Sequence, residues 1–159
     1  MTADDHSAGE PSYRVHPVGY VRRRQERIML ELLEPYRAAL RYLDRFGHVI
    51  VLWWIDEHDD EESRSTLQTA TSYLTDDVAG VFASRSPLRP NPLGLTPCEI
   101  VSVDQEAGIV QVVNIDAREG TPILDLKAYI PAVDRVRRPK TPAWLDEWPQ
   151  WMPEEGHGL

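Results

Sequence analysis

The stretch GVFASRSPLRPNPLGLT at residues 80–96 decides how the rest of this chain is arranged. Its three prolines remove three backbone donors and drive the residues before them toward extended geometry. The loop is therefore stiff before any ligand binds. It presents donor-rich side chains on a rigid bend between two apolar runs, which lowers the entropic cost of binding an anionic or purine-like ligand. Those side chains belong to Arg85, Ser86, Arg89 and Asn91. A plain surface turn with solvated arginines remains the alternative.

The composition is that of one globular domain: 159 residues, of which 42% are hydrophobic. No run of about 18 apolar residues and no secretory pattern occurs, so the sequence predicts neither a membrane span nor a signal peptide. The expected location is the cytoplasm. The single cysteine, Cys98, excludes an intrachain disulfide and any thiolate cluster for zinc or iron, and we expect no metal site. Cys98 is predicted to fill space within a strand.

Short β-favouring runs separated by turns dominate the chain. They predict strands over residues 13–21, 28–33, 48–55, 98–103, 109–115 and 123–130, and they favour a strand over residues 65–75. Residues 48–55 are nearly all apolar, which predicts the central strand. Only residues 35–46 show a helical period. The sequence therefore predicts a mainly β fold, a compact antiparallel β-barrel with one clear helix over residues 35–46 and at most a second.

Basic residues occur in three groups in a chain whose formal net charge is −9. Residues 22–27 are predicted to form a basic turn, Arg37, Arg41 and Arg45 recur at a spacing of four, and residues 135–140 form a third group. The net charge disfavours non-specific nucleic-acid binding over the whole surface, although a local basic patch can still bind phosphate. Solvation is the alternative for the first two groups: a solvated turn at residues 22–27 and a solvated face for the three arginines spaced by four.

The two ends of the chain differ in composition from its middle. Residues 1–12 are small, polar and aperiodic, which predicts a disordered leader before a domain at residues 13–136. Residues 137–159 contain Trp144, Trp148 and Trp151 among prolines and acids. Indole side chains this dense are expected to dock on the domain or on a partner subunit.

The pattern at residues 80–95, with its fixed Arg, Pro, Asn and Gly positions, resembles the signature of the TrmO/YaeB family, also called TsaA-like or VirR-like. Further segments agree in the same order: residues 17–21, 43–56, 116–122 and 124–131. The resemblance covers most of residues 13–136. It implies a compact antiparallel barrel that acts as a homodimer with S-adenosylmethionine bound near the interface. It also implies N6-methylation of threonylcarbamoyladenosine beside the tRNA anticodon.

The resemblance also implies roles for individual residues. The cofactor would be held by Arg85 through its carboxylate, by Leu95 against adenine, and by the end-of-strand residues Asp56 and Glu57. A second cofactor loop comprises Asp116, Ala117, Arg118 and Glu119, in which Asp116 and Glu119 accept from ribose or amine. Glu119 stands where the family has aspartate. The catalytic set would be Arg89 facing the substrate carboxylate, Asn91 contacting its polar groups, and Asp125 supporting the site.

Three function classes stay open at the level of sequence. The first is the tRNA methyltransferase; the second is an S-adenosylmethionine-dependent enzyme acting on a small molecule, which the net charge favours; the third is a non-catalytic S-adenosylmethionine-binding dimer. A Rossmann methyltransferase is not indicated, because no Gly-x-Gly-x-x-Gly follows a strand.

Overall fold

The computed structural model describes residues 11–72 and 74–153 of the chain. The predicted disordered leader falls almost entirely outside these residues, as do the last six residues of the tail. The described strands are β1 (Gly19–Arg24), β2 (Arg27–Leu32), β3 (His48–Trp54), β4 (Gln68–Thr71), β5 (Leu74–Gly80), β6 (Leu93–Asp104), β7 (Ile109–Val112) and β8 (Pro122–Ala128). The described α-helices are α1 (Glu61–Ser65) and α2 (Pro131–Asp134). Five 3-10 segments complete the described elements: Glu34–Leu40, Leu43–Arg45, Asp56–His58, Val81–Ala83 and Ala143–Leu145.

Six of these strands close into an antiparallel barrel in the order β1, β2, β7, β6, β3, β8, while β4 and β5 pair as a separate hairpin. The predicted fold class is thereby confirmed. Alternate residues of each strand point inward, and the core is built mainly from branched aliphatic side chains such as Val21, Leu30, Val49, Val51 and Val110. β3 lies between β6 and β8. The apolar run at residues 48–55 thus forms a strand, as predicted; every strand of a closed barrel has two neighbours, and the outer-face residues Ile50, Leu52 and Trp54 are half-buried, not fully covered.

The prediction of one helix over residues 35–46 is wrong. The chain forms two 3-10 segments there, Glu34–Leu40 and Leu43–Arg45, because Tyr42 adopts a left-handed backbone with φ 70° that ends the helical period. That conformation costs a non-glycine residue roughly 1 to 2 kcal/mol. Leu40 and Leu43 are nevertheless buried against the barrel, which explains the helical spacing of the apolar residues. Of the three arginines spaced by four, Arg37 is bound to another part of the chain: its Nη1 donates to the carbonyl of Glu106 at 3.0 Å.

The predicted basic turn at residues 22–27 is also narrower than expected. Arg22–Arg24 belong to β1 and Arg27 to β2, and only Gln25 and Glu26 turn, with Gln25 at φ 56°. Apolar alternation ends at Val21, so hydrophobic periodicity could not reveal that the strand continues.

Cys98 fills the barrel interior from β6, opposite Val49, as predicted. Burial raises the pKa of its thiol from 9.0 to about 12, and the Asp116 carboxylate adds to the rise.

Because the thiolate is the reactive form, we expect iodoacetamide at pH 8 to alkylate Cys98 only after denaturation. The same shift makes stability fall as pH rises above about 9, where the unfolded thiol ionises and the folded one does not. Rapid alkylation of the native chain would contradict this burial.

The tail returns to the barrel at its last described residues. Trp151 and Met152 line a cavity of about 480 Å³ together with His48, Glu99 and Tyr129. Trp144 and Trp148 are each 46% exposed. Within residues 11–72 and 74–153, no helix is both long enough and apolar enough to cross a membrane.

Candidate functional site

Three loops meet at one end of the barrel. Trp54 of β3 pairs with Leu93 of β6, and Trp53 pairs with Ile123 of β8, so the chain leaving β3 lies beside the chain entering β6 and β8. The N–H of Ile55 donates to the carbonyl of Pro92 at 2.7 Å and fixes two of these loops together. The antiparallel order thus gathers the proline-rich loop, the Asp56–His58 turn and residues 115–121 at this end.

The proline-rich loop is held from inside by Arg89. Its Nε donates to the carbonyl of Ser86 at 2.8 Å, and its Nη2 donates to the carbonyls of Val81 at 3.0 Å and Ser84 at 2.9 Å. Hydrogen bonds from a charged donor contribute about 1.5 to 3 kcal/mol each when desolvated. Two serine hydroxyls stabilise further turns of the loop. The N–H of Ser86 donates to Ser84 Oγ, and the N–H of Leu88 donates to Ser86 Oγ, both at 3.2 Å. Arg89 therefore shapes the loop.

Arg85 and Asn91 are exposed at the surface of the same loop. Neither side chain makes a hydrogen bond or ion pair with any residue that the structure describes. Their donors remain available to a ligand while the backbone beneath them is fixed.

The second loop, which enters β8, is tied to β1 by two arginines. Arg23 Nη2 donates to the carbonyls of Ile115 at 2.6 Å and Ala117 at 2.8 Å. The backbone N–H of Arg23 donates to the Glu119 carboxylate, and Arg22 lies 3.6 Å from its other oxygen. The additional methylene of glutamate, compared with aspartate, lets this carboxylate reach back to β1. Asp116 is half-buried, and its carboxylate makes no hydrogen bond or ion pair within the described part of the chain.

An ion pair joins the Asp56–His58 turn to the loop that enters β8. Arg118 Nη1 lies 2.6 Å from Glu57 Oε2, and both side chains are more than half exposed. Solvent screening limits such a pair to about 1 kcal/mol or less. It brings the Asp56–His58 turn and the second loop to the same rim, while Asp56 itself is exposed.

The wall beneath the proline-rich loop depends on Gly94. A Cβ at this position would lie 2.2 Å from the indole of Trp53, its register partner on β3. Trp53 Nε1 in turn donates to Thr96 Oγ1 at 3.2 Å. The glycine in the Asn-Pro-x-Gly-Leu pattern is thus required because an indole covers it.

Leu95 and Asp125 lie apart from this rim, on the outer face of the barrel. They flank Leu52 in register, whereas the neighbouring row of Val51 and Thr96 is buried. Asp125 accepts from the backbone N–H of Leu126 at 2.9 Å and pairs with Lys127 at 2.8 Å, which raises the pKa of Lys127.

The predicted site residues therefore form two groups. The rim group contains Asp56, Glu57, Arg85, Arg89, Asn91, Asp116, Ala117, Arg118 and Glu119. The outer-face group contains Leu95 and Asp125. Sequence reasoning missed Arg23 and Trp53 as supports of the rim, and for Arg23 the only signal was its membership of a basic run. In the described residues, no three His, Cys, Asp or Glu side chains gather into a possible metal site.

Comparisons with known proteins agree on one family. The model of the tRNA-methyltransferase O N-terminal domain matches residues 15–135. A probable S-adenosyl-L-methionine-binding protein of Halobacterium salinarum is 38% identical over 105 residues, which cover 66% of this chain and 75% of that protein. The human tRNA (adenine(37)-N6)-methyltransferase is 33% identical over 108 residues, covering 68% of this chain but 24% of that protein.

Solved structures show the same likeness. A crystal structure of TrmO from P. aeruginosa superposes with a TM-score of 0.66 at 26% identity, covering 85% of this chain and 62% of that chain. A second TrmO crystal structure superposes with a TM-score of 0.64 at 30% identity, covering 82% and 64%. This chain thus spans less than two thirds of either TrmO structure.

Proposed function

Because this chain belongs to the tRNA-methyltransferase O N-terminal domain family, we propose that it transfers a methyl group from S-adenosylmethionine to a tRNA adenosine. The acceptor in this proposal is N6 of threonylcarbamoyladenosine beside the anticodon. The observation that carries it is the rim itself, where a rigid loop presents an arginine with no described partner at the same end of the barrel as half-buried and exposed carboxylates. The same proposal gives the protein a cytoplasmic location.

The residues of the rim fit the cofactor. Its carboxylate needs a cation, and Arg85 has no partner among the described residues; its amino group and ribose hydroxyls need acceptors, and Asp116 has an uncommitted carboxylate. Glu119 is already bonded to β1, so the acceptor role falls mainly on Asp116, with Asp56 at the edge. Leu95 would support the adenine from the outer face.

When bound, S-adenosylmethionine supplies a methyl group on a sulfonium, which already carries its leaving group. The protein therefore contributes alignment and exclusion of water. Arg89 keeps the loop in shape through Nε and Nη2, and its Nη1 makes no hydrogen bond to the described residues, so it can face the carboxylate of the substrate. Asn91 would donate to polar groups of the same substrate, and Asp125 would support the site from the outer face.

A homodimer is part of the proposal. The outer face of β3 and β6 exposes Leu93 at 46% and Leu95 at 41% beside half-buried Ile50, Leu52 and Trp54. An apolar sheet face of this kind suits a second copy of the chain. Leu95 would then bring the cofactor close to the interface.

The archaeal relatives favour a second candidate, S-adenosylmethionine binding without methyl transfer to RNA. The relative from Halobacterium salinarum and one from Archaeoglobus fulgidus, 35% identical over 109 residues, are named only as binding proteins. The net charge of −9 also opposes a large RNA contact surface.

One assay separates the two candidates. The purified chain is incubated with S-adenosylmethionine and tRNA that contains threonylcarbamoyladenosine, and the digested nucleosides are analysed by mass spectrometry. We expect a gain of one methyl group on that nucleoside and none on matched tRNA that lacks the modification. Calorimetry on the same sample measures cofactor binding. Tight binding without methyl transfer would replace the enzyme with the binding protein, and no binding would overturn both.

A further inference from the structure

A second concave site lies on the side of the barrel, away from the rim. It is a cavity of about 340 Å³ between the two 3-10 segments of residues 34–45 and the edge of β8. Its floor is apolar and includes Leu32, Leu40, Leu43 and Leu126. Three aromatic side chains stand around it, each between 37% and 51% exposed: Tyr36, Tyr42 and Phe46.

The cavity exists because the barrel closes over a short seam. β1 pairs with β8 only at Gly19–Ile123 and Tyr20–Pro122, so the edge of β8 beyond residue 123 has no pairing to β1. Asp125 satisfies the N–H of Leu126 along this edge and supplies a carboxylate to the cavity lining. The 3-10 segments cover the gap without filling it.

Two guanidinium groups gather over one aromatic ring at the mouth of this cavity. The guanidinium carbon of Arg41 lies 4.9 Å from the ring centroid of Tyr42, and that of Arg45 lies 4.5 Å from it. Arg41 Nη2 also donates to the Tyr42 hydroxyl at 3.0 Å. Neither arginine has a carboxylate within 4.0 Å in the described part of the chain. Two cations close together without counter-charge form a local positive site in an acidic protein.

This combination selects one kind of ligand. Exposed aromatic rings stack on bases, and paired guanidiniums bind phosphate, so together they match a nucleotide. A base inside a duplex cannot reach such a cavity, whereas an unstacked base of an RNA loop can. An apolar peptide would leave the two cations without counter-charge.

We propose that this cavity receives one unpaired nucleotide of the RNA substrate, with its base against Tyr36, Tyr42 and Phe46 and its phosphate on Arg41 and Arg45. The inference rests on the proposed function, since it requires an RNA substrate. It adds a second RNA contact to the one proposed at the rim, so that the RNA is held at the side of the barrel as well as at its end.

The test uses the full chain and an anticodon stem–loop RNA with 2-aminopurine placed at each loop position in turn. Stacking on an aromatic ring quenches the fluorescence of this base analogue. Tyr42→Gly removes the ring while glycine keeps the left-handed backbone without strain, so the variant is expected to stay folded. Arg41→Gln combined with Arg45→Gln removes both charges. Tyr13→Ala combined with Arg14→Gln is the matched control, because both residues are exposed and lie outside the cavity.

For the unsubstituted chain we expect quenching at one loop position. Tyr42→Gly should abolish that quenching and weaken binding roughly tenfold, as loss of one stacked base does. The double glutamine variant should weaken binding at least as much and reduce the slope of log K against log salt by about 0.7, the value for one phosphate contact on a single strand. The control and all calorimetric affinities for S-adenosylmethionine should be unchanged.

Three contrary outcomes are distinguishable. If the unsubstituted chain binds and methylates the RNA but both cavity variants behave like the control, the cavity inference is overturned and the proposed function stands. If the unsubstituted chain neither binds nor methylates RNA, both are overturned. A change in the sedimentation profile of the cavity variants, with RNA affinity intact, would assign the cavity to contact between copies of the chain instead.

Discussion

Alanine at position 94 is expected to destabilise the fold by about 3 kcal/mol, the upper part of the range for an overfilled site. The added methyl group would lie 2.2 to 2.5 Å from three carbons of the Trp53 indole. That ring cannot simply swing away, because it is half-buried in the barrel wall and its Nε1 bonds to Thr96. Urea denaturation of Gly94→Ala measures the change.

Gly47→Ala is the matched control for this experiment. A Cβ at Gly47 meets no atom within 4 Å and its φ is not in the left-handed region, so its stability should change by about 0.5 kcal/mol or less. Adding Trp53→Leu to Gly94→Ala should recover part of the loss if the indole is the obstacle. Full stability of Gly94→Ala alone would show that the ring does not cover Gly94.

Replacement of Arg85 by alanine is expected to reduce the affinity for S-adenosylmethionine by on the order of 2 to 4 kcal/mol. The proposed partner is the carboxylate of the cofactor, and a charge pair shielded from water contributes this much to binding. Since Arg85 bonds to no described residue, the variant should keep the stability of the unsubstituted chain. Calorimetric titration and thermal denaturation of one sample measure both quantities.

Arg89→Ala provides the contrast. It removes three hydrogen bonds to the loop carbonyls, so it should lower stability as well as turnover. Arg24→Ala, which replaces an exposed arginine in β1, should change neither. An Arg85→Ala variant that binds the cofactor as tightly as the unsubstituted chain would remove Arg85 from the cofactor site.

The sequence was informative wherever one residue type had one structural meaning. Alternating β-favouring runs predicted the barrel strands, the apolar run at residues 48–55 predicted β3, and prolines predicted the stiff loop that Arg89 braces. The fixed Arg, Asn and Gly positions of residues 80–95 identified the family. These signals are local, because each depends on backbone geometry or burial of a single segment.

Other features depend on contacts between segments far apart in the chain, and these were not predictable. The helix predicted over residues 35–46 is a local exception: Tyr42 interrupts it with a left-handed backbone, and Arg41 and Arg45 lie over its ring. Arg22 and Arg23 were placed in a turn, yet they extend β1 and hold residues 115–119. Periodicity reports which side chains are buried and contains no information on which distant carbonyl a long polar side chain will reach.

The sequence by itself thus determined the class of fold, the rigid loop and the family. Only the tertiary structure decided that nine of the predicted site residues share one rim, that Leu95 and Asp125 lie on the outer face, and that a cavity opens beside Tyr42. The physical reason is that these features depend on the register in which the barrel strands pair. Which loops meet, and how far the β1–β8 seam extends, follow from the pairing of strands separated by up to about a hundred residues, and strand pairing is a property of the closed barrel as a whole.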